Sequence, residues 1–470
     1  MRIRFLVTAT ICGLVFAADT TIPDTPAGQQ FAHWLKVFNG GKRDEMQKFL
    51  EQNRPEAAKR LDQELGFRQM TGGFDLKKIE ESTPQKITGI LKERDSDNYG
   101  RFVMEVAPGP PHQITSLGLQ LIPRPAEFQA APRLSEQDAV AVLKADLQKR
   151  TGEDGFAGAV AVAKGRKLVF SGAYGMADRE RQVPNRVDTR FRIGSMNKMF
   201  TATAVLQLAQ AGKLKLTDPL GKYLTDYPNK DIASKVTVHQ LLTHTGGTGD
   251  IFGPEFEKNR LTLRALSDYV ALYGKRAPEF EPGARFVYSN YGFILLGVLV
   301  EKVSGQSYYD YVREHVFKPA GMTRTDSLPE ATQVEGRFKG YMRRGGKWAP
   351  NTDTLPVRGT SAGGGYSTVT DLVAFANALM EHKLLNPEYT KLLLTGKVEG
   401  GPGGSKYAYG FSDTTADGVR WAGHGGGAPG MNGDLKFSLE SGYIVAVLSN
   451  LDPPAATHVS DFIAMRLPSR

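Results

Sequence analysis

Apolar residues near the start of the chain recur every three or four positions: Phe31, Trp34, Leu35 and Phe38, then Met46, Phe49 and Leu50. That spacing puts each set on one helix face. Gly40-Gly41 separates the two helices, and a third is expected over Glu56–Gly66. The period then falls to two in the stretches 74–80, 86–94, 101–107 and 114–122, each bounded by Gly, Pro, Asp or Asn. Alternation of this kind describes strands with one buried face. Residues 22–128 therefore read as a small α+β domain. A proline-bearing stretch around 122–138 follows, with the linker placed at 129–137.

The pattern beyond the linker is different. A helix is expected near 135–150, then a hairpin over 157–175 turning at Lys164-Gly165. The middle is rich in helices and loops. Two strands close the chain at 434–440 and 442–450, and a last helix covers 456–466. Strands at both ends with helices between them imply one sheet assembled from distant segments, with a helical subdomain beside it. Clefts between such lobes are where sites form. The fold class expected for 138–470 is α/β (α+β). At 470 residues, two domains is also the expectation from length.

Composition adds little until charge and cysteine are considered. The chain is 40% hydrophobic and 23% charged, with a formal net charge of +9. Its Lys and Arg residues are scattered, without an aromatic-interleaved basic stripe, so nucleic acid is not an expected partner. A basic surface suits proximity to a cell wall or an anionic membrane surface. In the first twenty residues, Arg2 and Arg4 precede an apolar run from Phe5 to Phe16, with Val15 and Ala17 at small-residue positions. That reads as a signal peptide over 1–17, too short for a membrane span of ~20 residues. Cleavage lowers the net charge by two and removes Cys12, the one cysteine of the chain. Neither disulfides nor a thiol nucleophile would remain. A secreted or periplasmic protein is the expectation.

Three segments carry candidate chemistry. In FRIGSMNKMFTATAVLQLAQAG (191–212), Met199, Ala202, Leu206 and Ala209 mark a buried helix with Ser195 in its first turn. Ser195 and Lys198, three apart, share a helix face. A serine hydroxyl needs a base to become a nucleophile. Lys198 serves only if neutral, and bringing its pKa from ~10.4 to near neutrality costs about 4 kcal/mol, which burial can impose. The second segment, EPGARFVYSNYGFILLG (281–297), holds Tyr288-Ser289-Asn290. Tyr288 can share the proton as base or acid, and Asn290 suits binding a substrate amide or carbonyl. The third, WAGHGGGAPGMNGDLKFSLE (421–440), holds His424-Gly425-Gly426-Gly427. Glycines on an edge let a substrate backbone approach. The N–H groups of Ser195 and Gly427 make a candidate oxyanion hole, worth ~2.7–4 kcal/mol per donor. His424 is expected to offer a donor toward a substrate carboxylate or toward Tyr288.

Together these segments resemble the Ser-x-x-Lys, Tyr-x-Asn and Lys/His-(Thr/Gly)-Gly elements of the serine β-lactamase and penicillin-binding-protein superfamily, in that family's order. The phrases KLKLTDPL, VTVHQLLTHTGG and SAGGGYSTVTDLVAFANAL strengthen the likeness, which spans about 135–470. It implies a β-lactamase/transpeptidase-like antiparallel sheet with flanking helices. It also implies an acyl-enzyme on Ser195, with no metal or cofactor. His424 in place of a lysine turns the likeness toward the class C, D-alanyl-D-alanine carboxypeptidase and family VIII esterase branch. Tyr288 or Lys198 remains open as the base. Ester, D-amino-peptide and weak β-lactam hydrolysis are the activities implied, against a non-hydrolytic penicillin-binding sensor. The pattern of 22–128 resembles the small cone-shaped domains of the nuclear-transport-factor-2 type. That implies protein docking, dimerisation or a spacer, against a substrate-binding accessory role.

Three look-alikes are set aside. Gly359-Thr360-Ser361-Ala362-Gly363 matches a nucleophile elbow but lacks the flanking strand and helix that an elbow requires. His244-Thr245-Gly246 precedes Tyr288 and reads as a hydrogen-bonded structural residue. Tyr227-Pro228-Asn229 lies in the polar stretch DYPNKD and reads as a loop.

Overall fold

The computed structural model describes residues 20–400 and 405–470. The expected signal peptide lies outside the described residues. The chain divides into two compact units at Ile122/Pro123, earlier than the boundary expected at 128.

The first unit opens with α1 (Pro26–Gly40), capped by the Thr25 hydroxyl accepting from the Gly28 N–H. Gly41 ends it in the left-handed conformation at φ +66°, a backbone state that glycine adopts without strain. Next come α2 (Arg43–Asn53), α3 (Pro55–Ala58) and α4 (Leu61–Thr71). The single helix expected over Glu56–Gly66 is thus two. Lys59 and Arg60 break the run, and Arg60 adopts φ −122° ψ 32°, outside helical geometry. Four strands then form an antiparallel meander: β1 (Phe74–Ser82), β2 (Lys86–Glu93), β3 (Tyr99–Val106) and β4 (Ile114–Ile122). Phe31, Phe38, Phe49, Phe74 and Phe102 make its core. Phe31 stacks on Phe102 with centroids 4.1 Å apart.

The second unit begins with α5 (Glu136–Gly152) and the hairpin β5 (Gly158–Lys164) and β6 (Lys167–Tyr174). Gly165 turns it at φ +55°. Further on stand α6 (Asn197–Gln210), α7 (Val238–Leu242) and α8 (Asn290–Ser304). The last part of the chain supplies β7 (Val398–Glu399), β8 (Lys406–Tyr407), β9 (Ser412–Ala416), β10 (Val419–Ala428), β11 (Met431–Phe437) and β12 (Tyr443–Ser449), then α9 (Ala455–Ala464). One eight-stranded antiparallel sheet results, in the order β7-β8-β9-β10-β11-β12-β5-β6. The closing strand pairs with the opening one, Val447 opposite Val160.

Successive side chains on a strand point to opposite faces. β5 therefore sends Val160 and Val162 toward α5 and α9, into a cluster with Leu143, Leu147, Val459 and Ile463. It sends Ala159, Ala161 and Ala163 to the other face, where Phe200, Val205 and Leu206 of α6 join Leu295 and Leu299 of α8. Small residues on that second face let the helix Val369–Met380, which brings Leu372, Phe375 and Ala376 to the same cluster, sit close to the sheet. Among the described residues, no helix is long and apolar enough to cross a membrane.

Candidate functional site

Ser195 lies in a single 3₁₀ turn, Gly194–Met196, immediately before α6. The helix expected to hold Ser195 in its first turn therefore starts later, at Asn197. Phe191–Arg192 is instead a short strand paired with Tyr366–Ser367. Gly194 makes the sharp entry at φ +53°, so Ser195 is presented from the middle of the turn rather than from within the helix.

Lys198, fully buried in the first turn of α6, points back to Ser195. Its Nζ lies 3.2 Å from Ser195 Oγ, 2.7 Å from Asn290 Oδ1 and 2.6 Å from the Ala362 carbonyl. The Nζ also stands 4.6 Å from the centroid of the Tyr288 ring. Burial lowers its pKa to about 7, with the Asp250 carboxylate pulling the other way. An amine at that value is half neutral at neutral pH and works as a base.

The second segment folds as a loop entering α8. Ser289, between Tyr288 and Asn290, is the helix N-cap: its Oγ accepts from the Gly292 N–H and donates to the Gly249 carbonyl at 2.5 Å. Asn290 receives Lys198 on Oδ1, and Asp250 accepts both its backbone N–H (2.8 Å) and its Nδ2 (3.2 Å). Asn290, expected to meet substrate, thus ties the amine to the 248–250 loop. Tyr288 is 36% exposed. Burial around its hydroxyl raises the phenol pKa and a hydrogen bond with Ser195 opposes the rise; solvent screens part of both effects. The balance holds the Tyr288 phenol above its ordinary value.

β10 brings the third segment to the same place. Gly426 packs directly on the nucleophile turn: a Cβ there would sit 1.9 Å from the Ile193 carbonyl oxygen and 3.0 Å from Ser195 N. A Cβ on Gly194 would likewise come 3.0 Å from Gly427 N. Glycine is required here by close approach of two backbones. Gly425 faces the other side, where a Cβ would meet Asp434 Oδ1 at 3.4 Å. The N–H-bearing atoms of Ser195 and Gly427 consequently border one small region.

His424 departs from its expected role. It is buried, with Nδ1 2.5 Å from the Gly425 carbonyl and Nε2 3.0 Å from the Tyr407 hydroxyl. Both ring nitrogens are engaged by the protein, so neither is offered to a substrate carboxylate. Burial and the nearby Lys198 lower its pKa to about 4. A neutral imidazole is what stands in the lysine's place.

The look-alikes resolve on burial. Ser361 is fully buried, its Oγ lacks a hydrogen-bond partner, and it nests against Gly297, where a Cβ would meet Oγ at 2.3 Å. The site instead uses the carbonyl of the next residue, Ala362. His244 is buried and hydrogen-bonded to Ser289 and Tyr407, with its ring centroid 4.2 Å from that of Tyr288. Tyr227 is a correction in its surroundings: its backbone is a loop, yet its ring is buried and its hydroxyl pairs with Tyr291 at 3.0 Å. Asp250, Ala362 and Tyr407 are the site residues that motif reading missed. Among the described residues, no cluster of His, Cys, Asp or Glu is arranged to hold a metal ion.

An eight-stranded antiparallel sheet closed from both ends of the unit, with the Ser-x-x-Lys turn lodged between the sheet edge and a helical layer, defines the serine β-lactamase and penicillin-binding-protein class. The chain belongs to the Beta-lactamase family, whose sequence model matches residues 143–469. It is 32% identical over 302 residues to a putative penicillin-binding protein, PbpX, of Bacillus subtilis, covering 64% of this chain and 72% of that protein. It is similar to the crystal structure of a penicillin-binding protein from Bacillus halodurans, at 37% identity and a TM-score of 0.61, covering 67% of this chain and 97% of that one. A D-stereospecific amidohydrolase from a Streptomyces species is similar at 29% identity and a TM-score of 0.57, covering 66% and 94%.

Proposed function

We propose that this chain is an exported serine hydrolase that acylates Ser195 with a small ester, a D-amino peptide or amide, or weakly a β-lactam, and releases the acyl group to water. The observation that carries the reading is the buried Lys198 amine, 3.2 Å from Ser195 Oγ with a pKa of about 7. Neutral Lys198 takes the hydroxyl proton as Ser195 attacks the carbonyl carbon. The N–H groups of Ser195 and Gly427 receive the oxyanion of the tetrahedral intermediate. The ammonium then returns the proton to the leaving nitrogen or oxygen, with the Tyr288 hydroxyl as the intermediate carrier. Water attacks the ester in the second half, with the same groups in reverse. Similarity to a D-stereospecific amidohydrolase supports an amide substrate, and the pattern over residues 1–17 supports export.

A second reading is acylation without turnover, favoured by the likeness to proteins named as penicillin-binding. Intact-mass measurement after a fluorophosphonate or a penicillin, paired with turnover of p-nitrophenyl esters and D-alanyl peptides, separates the two. A single modification lost in Ser195→Ala, with continuing turnover, is the expected result. Stoichiometric labelling without turnover selects the second reading, and undiminished labelling of Ser195→Ala overturns both.

A further inference from the structure

Behind the cleft wall, two histidines and a tyrosine form a hydrogen-bonded chain. The Ser289 backbone N–H donates to His244 Nδ1 at 3.1 Å. His244 Nε2 lies 3.1 Å from the Tyr407 hydroxyl, and that hydroxyl lies 3.0 Å from His424 Nε2. His424 Nδ1 ends the chain on the Gly425 carbonyl at 2.5 Å. One end is a backbone donor and the other a backbone acceptor, so the direction of every proton between them is determined. His244 carries its proton on Nε2 and gives it to Tyr407. Tyr407 gives its own to His424 Nε2. His424 is left with its proton on Nδ1, held by Gly425.

We propose that Tyr407, set by His244, is the positioning residue that holds His424 as a neutral imidazole with its Nε2 lone pair occupied, so that this cleft selects acyl substrates with no carboxylate beside the scissile bond. The proposal rests on the hydrolase reading above and narrows its substrate class. All three rings are buried, which keeps water from competing for the chain. Around His424 stand Tyr407 from β8, Tyr288 ahead of α8, Lys198 from α6 and Asp434 from β11. Burial and Lys198 disfavour the imidazolium, and the Gly425 carbonyl and Asp434 only partly oppose them. Protonating His424 would also oblige Tyr407 to turn its hydroxyl hydrogen back toward His244, whose Nε2 already carries one. The chain therefore resists the charge that a substrate carboxylate would need.

The test uses the full chain in two measurements. Long-range proton–nitrogen spectra of the imidazole rings should assign His424 as the Nδ1–H tautomer and His244 as the Nε2–H tautomer, both unchanged from pH 8 to pH 5. An Nε2–H tautomer at His424, or its titration above pH 6, overturns the proposal without any variant. In the second, hydrolysis of an N-acyl-D-alanyl-D-alanine is compared with that of its C-terminal carboxamide. The wild type should favour the carboxamide in kcat/KM. Tyr407→Phe, which frees His424 Nε2, should narrow that preference about ten-fold, the worth of one hydrogen bond to a charged group, most of all near pH 6. A wild-type preference for the carboxylate, or an unchanged ratio in a folded Tyr407→Phe, overturns it. Should Ser195 fail to react with a fluorophosphonate, the hydrolase reading itself falls; a labelled Ser195 with a titrating His424 sinks the inference alone.

Discussion

Lys198 Nζ lies closer to Asn290 Oδ1, at 2.7 Å, than to Ser195 Oγ, at 3.2 Å. The amide oxygen and the Ala362 carbonyl accept two of the ammonium's three protons, leaving the third directed at the nucleophile. When Lys198 is neutral its lone pair replaces that third proton, so the same scaffold aims the base. Lys198→Ala should lower kcat/KM at least a thousand-fold, the scale of losing a general base in an acyl-transfer site. In the wild type, acylation should rise with pH through an ionisation near 7 and level off above it. A stopped-flow pH profile with a fluorogenic ester measures this.

Asp250 pulls in the opposite direction from burial on Lys198. Removing its charge should therefore lower the amine pKa further. Asp250→Asn should shift the acidic limb of the acylation profile to lower pH, by up to about one unit for a partly screened carboxylate. It should also loosen Asn290, which accepts Lys198 and donates twice to Asp250, and so reduce the plateau rate. A limb that moves to higher pH would contradict this electrostatic assignment.

The low pKa of Lys198 has a cost in stability with a definite pH window. Its folded value, about 7, lies below the unfolded ~10.4. Below pH 7 both states bind the proton and the full penalty for burying the charge applies. Between pH 7 and about 10 the unfolded state binds more protons, so stability supplied by this group rises with pH. The difference in melting temperature between wild type and Lys198→Met should shift in favour of the wild type from pH 7 to pH 9.5. Differential scanning fluorimetry across that range checks the sign.

Gly426→Ala introduces a methyl 1.9 Å from the Ile193 carbonyl oxygen and 3.0 Å from Ser195 N. Strand β10 must then move away from the nucleophile turn. A loss of about a hundred-fold or more in kcat is expected, the scale of removing one oxyanion donor, with a smaller cost in stability of about 1–3 kcal/mol. Kinetics on an activated ester together with urea unfolding separate the two effects.

Ser361 supplies the contrasting case. Its buried Oγ has no partner, so Ser361→Ala removes an unsatisfied hydroxyl at little cost or with a gain of up to about 1 kcal/mol. Activity should stay within two-fold, since the loop contributes through the Ala362 carbonyl, which the substitution leaves in place. A severe loss of fluorophosphonate labelling would reinstate Ser361 as a nucleophile.

Much of this was legible before any coordinate. Alternating apolar residues mark β2 and β4, and the Lys164-Gly165 turn marks the β5–β6 hairpin. Ser195 and Lys198 were legible because their relation is local, one helical turn. The single helix predicted over 56–66 is two in the structure, and no Gly or Pro announces the break at Lys59-Arg60. Asp250 and Tyr407 left no signal, since each acts on residues at least 17 positions away through tertiary contact. The Ala362 carbonyl is a backbone group, and any residue type carries one. For His424 the motif located the residue but not its charge, which depends on burial and on a tyrosine from another strand.

The pairing of β12 with β5 joins the last strand of the second unit to its first. All contacts that close this sheet span nearly the whole unit, and folding slows as such long-range pairings dominate. Until residues 443–449 are available, β5 has one bare edge and the helix Val369–Met380 has half a floor. A chain shortened by its last thirty residues should therefore leave β5 and β11 each with an unpaired edge and behave as an aggregation-prone fragment.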